Sequence, residues 1–369
     1  MIFKKKTISE EDYYLASQWK LMGRKLVKHK LARASMIILG IFYFCAIFAN
    51  FIAPQGLTEY DSKSKNLGPS HIHLWDESGE FQGPFVYGIS IKRNKLTFET
   101  DITEDTSQIY KIKFFVKGEE YKFLGLIPCS RHLFGAEEGG HVFLIGTDSM
   151  GRDLFSRLII GSQVSLSVPL VGTAISFLLG ILLGGLSGYF GGWIDMVIQR
   201  AIEVITSFPS IPLWMALSAA IPPNIPIVRM YILITIIMSF ISWTSLARVV
   251  RGKFISLRKE DFVMAARLAG VSDFKIIMTH LVPGFMGYLI VNLTLEIPSM
   301  IIGETSMSFL GLGMRSPATS WGVLLQEAQD ISNIALYPWK LIPLVFVIIA
   351  VLAFNFLGDG LRDAADPYK

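Results

Sequence analysis

Two carboxylates, Glu296 and Glu304, lie in an otherwise apolar run of the chain from Val282 to Ser306. A charged side chain inside a bilayer is costly, so such residues usually mark a transport path, a relay or a paired site. Their spacing corresponds to about two helical turns, or about 12 Å along a helix. We predict a role for both in a transport path or its gate; pairing with basic groups near an aqueous cavity is the alternative.

Other patterns that could carry chemistry are scarce. The sequence has no GxxxxGK[ST] phosphate loop, no HExxH motif and no GxSxG motif. His71, His73 and His132 lack metal-ligand spacing, so we interpret them as exposed loop residues. Cys45 lies in an apolar run and Cys129 in a polar stretch, so no disulfide between them is expected. We predict no catalytic residue, no bound metal and no cofactor, and therefore no enzyme.

The stretch from Arg251 to Pro283 has the pattern of two short helices around a glycine. A helix-permitting run, Glu260–Leu268, ends shortly before Gly270, a residue that commonly terminates helices. Ser272 or Asp273 then suits the N-cap of a second helix. Apolar and small residues on one face predict docking on a partner, and an amphipathic helix at the membrane surface fits the periodicity equally well.

The composition identifies the class of protein to which these features belong. Of 369 residues, 51% are apolar or aromatic and 17% are charged, whereas about 25% are charged in ordinary soluble domains. This balance argues against a soluble enzyme and against a disordered chain, which needs low hydrophobicity. We therefore predict a membrane protein.

Six stretches with few charges are long enough to cross a bilayer, which takes about 20 apolar residues. The predicted spans are Ala34–Ala53, Leu166–Tyr189, Val204–Val228, Met230–Ala247, Val282–Ser306 and Leu341–Gly358. The first is expected to be an uncleaved anchor in the segment 34–55, because no small-residue cleavage site follows it. Within the second, Gly180, Gly184 and Gly188 form a GxxxGxxxG pattern that predicts close helix packing.

The basic residues predict the orientation of these spans. Residues 1–33 contain nine Lys and Arg and form a basic, amphipathic N-terminus, while residues 248–281 contain seven. Because short cytoplasmic segments are enriched in Lys and Arg, we place both segments and the C-terminus in the cytoplasm. Elsewhere, Arg200 and Glu203 are spaced for a local ion pair.

The segment 56–157 has a different residue pattern from the spans. Between Pro84 and Leu126, runs with strand character alternate with turn signals, which predicts a β-rich insert outside the membrane between the first two spans. The predicted strands are 85–91, 95–100, 108–116 and 120–127, with hairpin turns at Arg93-Asn94 and Lys117-Gly118.

Four sequence blocks resemble the integral membrane subunit of binding-protein-dependent ABC importers, in the oligopeptide and dipeptide permease group. The chain looks like the second of the two paired permeases, with similarity over about residues 19–55 and 130–369. The blocks are 30–39 with Ala53-Pro54; 145–157, of the form GTDxxGRDxxSR; the "EAA" loop with Ala265, Ala266, Gly270 and 280–283; and the C-terminal groups 308–313, 320–322, 358–363 and 366–367.

The resemblance implies an all-α polytopic membrane protein with six transmembrane helices of the type I ABC importer kind. Its permease core would comprise residues 158–369, with five helices and a coupling loop at 248–283. In such importers the loop sits in a groove on an ATPase subunit. The contact residues implied here are Asp261, Ala265, Ala266, Arg267 and Gly270.

At two further positions the chain has a residue other than the one that the family usually has. Met264 stands where the family usually has Glu, so a salt bridge from this position is not expected. Glu304 matches a family Glu, whereas Glu296 stands where Gly is more usual.

The resemblance also implies partners and location. These are a homologous permease forming a heterodimer, two subunits that bind ATP, an extracytoplasmic binding protein that delivers peptide, and the inner membrane, with no nucleic acid. The insert is expected to contact the binding protein or the sister permease. Nickel or oligosaccharide import by the same transporter class remains an alternative, as does a channel or structural membrane subunit.

Overall fold

Long apolar helices and one small sheet make up the computed structural model, which describes residues 18–93, 100–123, 125–222 and 225–365. The helices are α1 (Gln18–Lys28), α2 (Lys30–Ile47), α3 (Ala49–Ile52), α4 (Leu154–Phe190), α5 (Gly192–Thr206), α6 (Ser210–Ala219), α7 (Ile227–Leu257), α8 (Asp261–Leu268), α9 (Asp273–Ile276), α10 (Met286–Phe309), α11 (Trp321–Ala328), α12 (Ile331–Leu336) and α13 (Ile342–Ala365). The strands are β1 (His73–Trp75), β2 (Phe81–Arg93), β3 (Thr100–Phe123) and β4 (Ile127–Ala136).

Within the described ranges, five helical stretches are long and apolar enough to cross a membrane. They contain α2, α4, α7, α10 and α13. The expected span at Val204–Val228 is not one continuous helix, because α5 and α6 meet at an angle of 86°. Pro209 lies at this break in an extended conformation, and proline both lacks an N–H donor and disfavours helix in the residue before it. A sixth span exists only if this bent pair is counted as one.

The glycines of the GxxxGxxxG pattern bring α4 and α7 together as predicted. Gly180 lies against Leu246, and Gly184 lies against the backbone of Ala247. A Cβ atom added to Gly184 would be 2.4 Å from the carbonyl oxygen of Ala247. Because the contacting residue numbers rise together along both helices, α4 and α7 run in the same direction.

The ends of the remaining helices define two ends of the bundle. Near the end of α13, Gly360 lies against Ala32 of α2, and Ala365 lies against Gly287 at the start of α10. We call this the loop end, because the segment 258–285 lies there too. The sheet lies at the opposite, insert end, where His132 contacts the carbonyl of Ala53. The described part of the basic N-terminal segment and the basic segment 248–281 therefore share one end of the bundle, as the positive-inside rule predicts.

The insert is a four-stranded antiparallel sheet in the order β1-β2-β3-β4. The first half of β3 pairs with β2, and its second half pairs with β4. The predicted turn at Lys117-Gly118 is wrong, because these residues lie within β3; the register shifts there instead, between Lys117 and Tyr121. The predicted turn at Arg93-Asn94 and the predicted strand at 95–100 fall largely outside the described residues.

His132 also differs from its interpretation as an exposed loop residue. It lies in β4 and is 3% exposed. Its Nδ1 is 2.5 Å from the carbonyl oxygen of Ala53, and its Nε2 is 3.1 Å from that of Glu119. Because Ala53 follows α3, this side chain joins the sheet to the helices.

Replacing Gly184 with alanine should destabilise the protein by about 2 kcal/mol, the usual cost of an inserted methyl group in a tightly packed contact. The Ala247 carbonyl is backbone and cannot move aside as a side chain would. Thermal unfolding of the purified protein in detergent measures the change. Gly252→Ala in α7 is the matched control, since nothing lies within 4 Å of its added Cβ. Equal midpoints for the two variants would contradict the close contact.

Candidate functional site

Helix α8, which contains most of the predicted coupling residues, has a well-defined C-terminus. Gly270 has a φ of +75°, its N–H donates to the carbonyl of Arg267 at 3.0 Å, and the N–H of Val271 donates to that of Ala266 at 3.1 Å. These two hydrogen bonds form a Schellman motif, in which the left-handed residue is usually glycine. The predicted role of Gly270 in ending this helix is confirmed.

Tyr189, at the end of α4, connects α8 and α9. Its hydroxyl donates to Oδ1 of Asp273 at 2.5 Å and accepts from Nε of Arg267 at 3.1 Å. The Arg267 guanidinium also lies 4.8 Å from the centre of the Tyr189 ring, within the range of a cation–π contact. Ser272 occupies the N-cap position of α9, but its side chain makes no capping hydrogen bond.

Two further arginines fix the loop end. Arg258 donates from Nη1 to the carbonyl oxygens of Gly188 and Tyr189, both at 3.1 Å, which satisfies acceptors that the end of α4 leaves open. Arg251 forms a bidentate pair with Asp195 of α5, at 2.5 and 2.6 Å. The last turns of α7 and the residue that follows this helix are therefore tied to the start of α5 and the end of α4 by charged hydrogen bonds.

The loop has both buried and exposed apolar side chains. Val263 is fully buried in a cluster that includes Phe254 and Ile276, and Ala266 packs against the same cluster. By contrast, Leu268 is 88% exposed and Phe274 is 71% exposed. We call the exposed set the apolar patch. It comprises Phe262, Met264, Leu268, Phe274 and Met278.

The predicted coupling residues divide between these two environments. Asp261, Ala265, Arg267 and Gly270 are exposed, whereas Ala266 is half-buried and faces the cluster. Arg267 is exposed, but its guanidinium group donates a hydrogen bond to the Tyr189 hydroxyl. It therefore already has a partner within the chain.

Met264 lines an open cavity of about 590 Å³ beside α8. Three basic side chains, Arg258, Lys259 and Arg267, line the same cavity, together with Asp273. A carboxylate at position 264, which the family pattern favours, would share the cavity with these cations. Methionine supplies apolar contact there without the charge.

Glu304 is fully buried in a setting of hydroxyl groups. Ser308 Oγ donates to its Oε1 at 2.8 Å, and Ser165 Oγ lies 3.4 Å from its Oε2. Ser165 also accepts from the backbone N–H of Trp321 at 2.9 Å. Glu304 thereby connects α10 to α4 and to the start of α11, and its role in a path or gate stays a prediction.

Glu296 has different surroundings. It is half-buried beside a cleft of about 30 Å³ between α4, α7 and α10. Among the described residues, no hydrogen bond or ion pair is made by its carboxylate. The structure does not bring Glu296 and Glu304 into one site, since their carboxylates have different neighbours.

An ion cluster at the insert end was not predicted from the sequence. Arg157, only 2% exposed, contacts Asp148 at 2.6 Å and Glu327 at 2.5 Å, and Arg152 contacts the same two carboxylates. Burial alone would raise the pKa of Asp148, but the guanidinium groups of Arg157 and Arg152 hold it below its usual value. The stabilisation from this carboxylate is therefore present above its unfolded pKa and is lost as the pH falls through its folded pKa.

Two family matches cover the chain's main parts. Residues 176–368 match the family described as "Binding-protein-dependent transport system inner membrane component", and residues 17–69 match "N-terminal TM domain of oligopeptide transport permease C". The first match covers more than half of the chain and includes α7 to α13 with the loop end.

The chain belongs to the family of binding-protein-dependent transport system inner membrane components.

Several named relatives are similar to this permease. The dipeptide transport system permease protein DppC of Bacillus subtilis is 37% identical over 345 residues, which is 93% of this chain and 84% of the relative. The oligopeptide transport system permease protein OppC of Haemophilus influenzae is 42% identical over 231 residues, covering 62% of this chain and 71% of the relative. The solved structure titled "Inward facing conformations of the MetNI methionine ABC transporter" is 18% identical, with a TM-score of 0.44, and covers 56% of this chain and 95% of that chain.

These findings confirm the resemblance to oligopeptide and dipeptide ABC permeases. The permease is a polytopic helical protein of the inner membrane, and its family is not itself catalytic. Sequence reasoning missed Tyr189 and Arg258 because their partners are more than 60 residues away. The GTDxxGRDxxSR block did hold a signal for the ion cluster, since Asp148, Arg152 and Arg157 all belong to it.

Arg157→Ala should lower the free energy of unfolding of the permease by about 3 kcal/mol, because it removes the buried cation of the cluster and leaves Asp148 and Glu327 with Arg152 alone. The control is Arg200→Ala, which removes the predicted and observed pair with Glu203. Both side chains of that pair are exposed, at 75% and 61%, so its loss should cost less than about 1 kcal/mol. Thermal unfolding in detergent compares the variants. Similar losses of stability in both would contradict the stabilising role of the buried cluster.

Proposed function

We propose that this permease is the transmembrane subunit of an ATP-driven importer for oligopeptides or dipeptides, and that the segment 248–283 is its docking element for an ATPase subunit. The observation that carries the proposal is the apolar patch at the loop end. Five large apolar side chains are exposed within 17 residues of this loop, and soluble surfaces seldom expose so many without a partner.

The topology proposed for the complex follows the positive-inside rule. Counting α5 and α6 as one bent span gives six spans, with both termini and the loop end in the cytoplasm and the sheet outside, between the first and second spans. A homologous permease would complete the path as a heterodimer. Two ATPase subunits would bind the loops, and an extracytoplasmic binding protein would deliver the peptide.

The anchoring of the loop suggests how force could pass through the permease. ATP binding closes the ATPase subunits, and a loop seated on one of them moves with it. Because Arg258 and Tyr189 join the loop to the end of α4, this movement would displace α4 and α7 together. The cavity between the paired permeases would then open outward. The ATPase subunits bind and hydrolyse the ATP in this scheme.

Peptide as the substrate class is supported by the names of the relatives. Nickel and oligosaccharides are the other candidates for a transporter of this class. Co-purification of the complex with its binding protein, followed by mass spectrometry of the bound ligand, distinguishes these candidates. A channel would instead conduct substrate in vesicles that lack the ATPase subunits.

Leu268→Asp should reduce co-purification of the ATPase subunits about tenfold or more. The change removes a leucine contact, which contributes about 1.5–3 kcal/mol when buried, and adds a charge. Leu126→Asp is the matched control, because Leu126 is 82% exposed at the insert end. Unchanged ATPase recovery with Leu268→Asp, or an equal loss with Leu126→Asp, would refute the docking role.

Gly270→Pro should abolish ATP-driven uptake while the permease still inserts into the membrane. Proline cannot adopt a φ of +75°, so α8 would lose the turn that ends it. Gly270→Asn is the control, because asparagine tolerates the left-handed conformation, and it should retain most uptake. Ala266→Trp should also abolish uptake by forcing α8 away from its buried cluster. Normal uptake by the Pro and Trp variants would contradict the coupling role of this loop.

A further inference from the structure

A small polar cleft lies between α4, α7 and α10, within the apolar part of the bundle. Its polar lining residues are Thr173, Ser176, Ser242, Ser245, Asn292 and Glu296. Glu296 is the eleventh of the 24 residues of α10, so it lies about 15 Å from one end of that helix and about 20 Å from the other. The cleft is therefore near the middle of the spanning region.

The cleft has hydrogen-bond acceptors that are not in use. Among the described residues, the Glu296 carboxylate has no hydrogen bond or ion pair, and the Thr173 hydroxyl is buried without a partner. The Nδ2 group of Asn292 donates to the carbonyl of Tyr288 at 2.9 Å, which leaves its amide oxygen as an acceptor. Ser176 already donates to the carbonyl of Ser239 at 3.2 Å.

The charge and size of the cleft together indicate its occupant. A carboxylate at this depth is costly unless a cation or donor neutralises it. The open volume of about 30 Å³ matches one group of about the size of a water molecule. A primary ammonium group has this size, carries the opposite charge and brings three N–H donors.

We propose that this cleft is a subsite for the primary ammonium group of the transported peptide, with Glu296 as its counter-ion. The inference rests on the proposed function for the identity of the substrate. The chemistry of the site, however, is a property of this chain alone and can be tested without transport.

The first experiment measures the affinity of the cleft for an ammonium group directly. Ser245→Cys is made in the full complex after Cys45 and Cys129 are replaced by serine. The rates of modification by ethylammonium, ethylsulfonate and neutral methyl methanethiosulfonates are then compared with those of a free thiol. We expect the preference for ethylammonium over ethylsulfonate to fall about tenfold when Glu296→Gln is added, because the carboxylate attracts the cation at short range.

Glu304→Gln is the matched control for this experiment. It neutralises a second carboxylate of α10, but one that is enclosed by Ser308 and Ser165, so the ethylammonium preference should not change. A preference that is unchanged within twofold by Glu296→Gln overturns the proposal. So does a cysteine at position 245 that does not react with the neutral reagent, since the cleft would then be closed to an ammonium group.

The second experiment measures transport in proteoliposomes that contain the complete transporter and its binding protein. Glu296→Gln should reduce uptake of a peptide with a free amino terminus about tenfold, while stimulation of ATP hydrolysis by the binding protein is retained. Glu296→Asp should restore most uptake. Wild-type uptake by Glu296→Gln overturns the ammonium subsite.

Two other results distinguish a failure of the proposed function from a failure of the ammonium subsite. If the wild type imports no peptide but the ethylammonium preference depends on Glu296, the proposed function fails and the ammonium site stands. If sodium suppresses the preference and replacement of sodium by N-methylglucamine abolishes uptake, the cleft holds an alkali cation and the proposal is overturned.

Discussion

The contact between the backbones of α4 and α7 is the constraint on which the rest of the permease depends. Gly184 lets the two helices approach until the Ala247 carbonyl occupies the space of a side chain. Small residues permit such approach in membranes, where van der Waals packing rather than exclusion of water holds helices together. Because the two helices run in the same direction, this contact also brings the end of α7 beside the end of α4. Arg258 can reach the carbonyl groups at the end of α4, and Tyr189 can reach α8 and α9, only because of that placement.

The loop end combines a rigid attachment with an unpartnered surface. Val263 and Ala266 hold α8 against the bundle from inside, while Tyr189 holds α8 and α9 together through two side-chain hydrogen bonds. The side chains of the apolar patch are exposed, although Met264 lines the same cavity as Tyr189 and Arg267. The docking role proposed for this loop would need both properties, since a flexible loop would absorb the movement of its partner. The exposure of Leu268 is therefore meaningful because α8 itself is well fixed.

The sequence predicted features that depend on local chemistry, and failed where distant parts of the chain meet. The glycine pattern in α4 and the end of α8 at Gly270 each follow from a few neighbouring residues, and the structure has both. The break at Pro209 was also local, but the apolar composition of 204–228 concealed it. The turn expected at Lys117-Gly118 failed because β3 continues to pair with β4 through that point. The burial of His132 and the pairing of Arg157 with Glu327 depend on partners far along the chain, which a short block of neighbouring residues does not identify.

The length of α4 has a mechanical consequence. Its 37 residues correspond to about 55 Å, whereas the apolar part of a bilayer is about 30 Å thick. The helix therefore extends from the loop end, where Tyr189 meets α8, to the insert end, where Arg157 meets Glu327. Under the proposed coupling role, this helix would act as a lever that pivots within the membrane near Pro169, which lies inside it. A tilt of about 10° about its midpoint would move its two ends roughly 5 Å in opposite directions. A pull on one side of the membrane would thus arrive on the other side as a push of similar size.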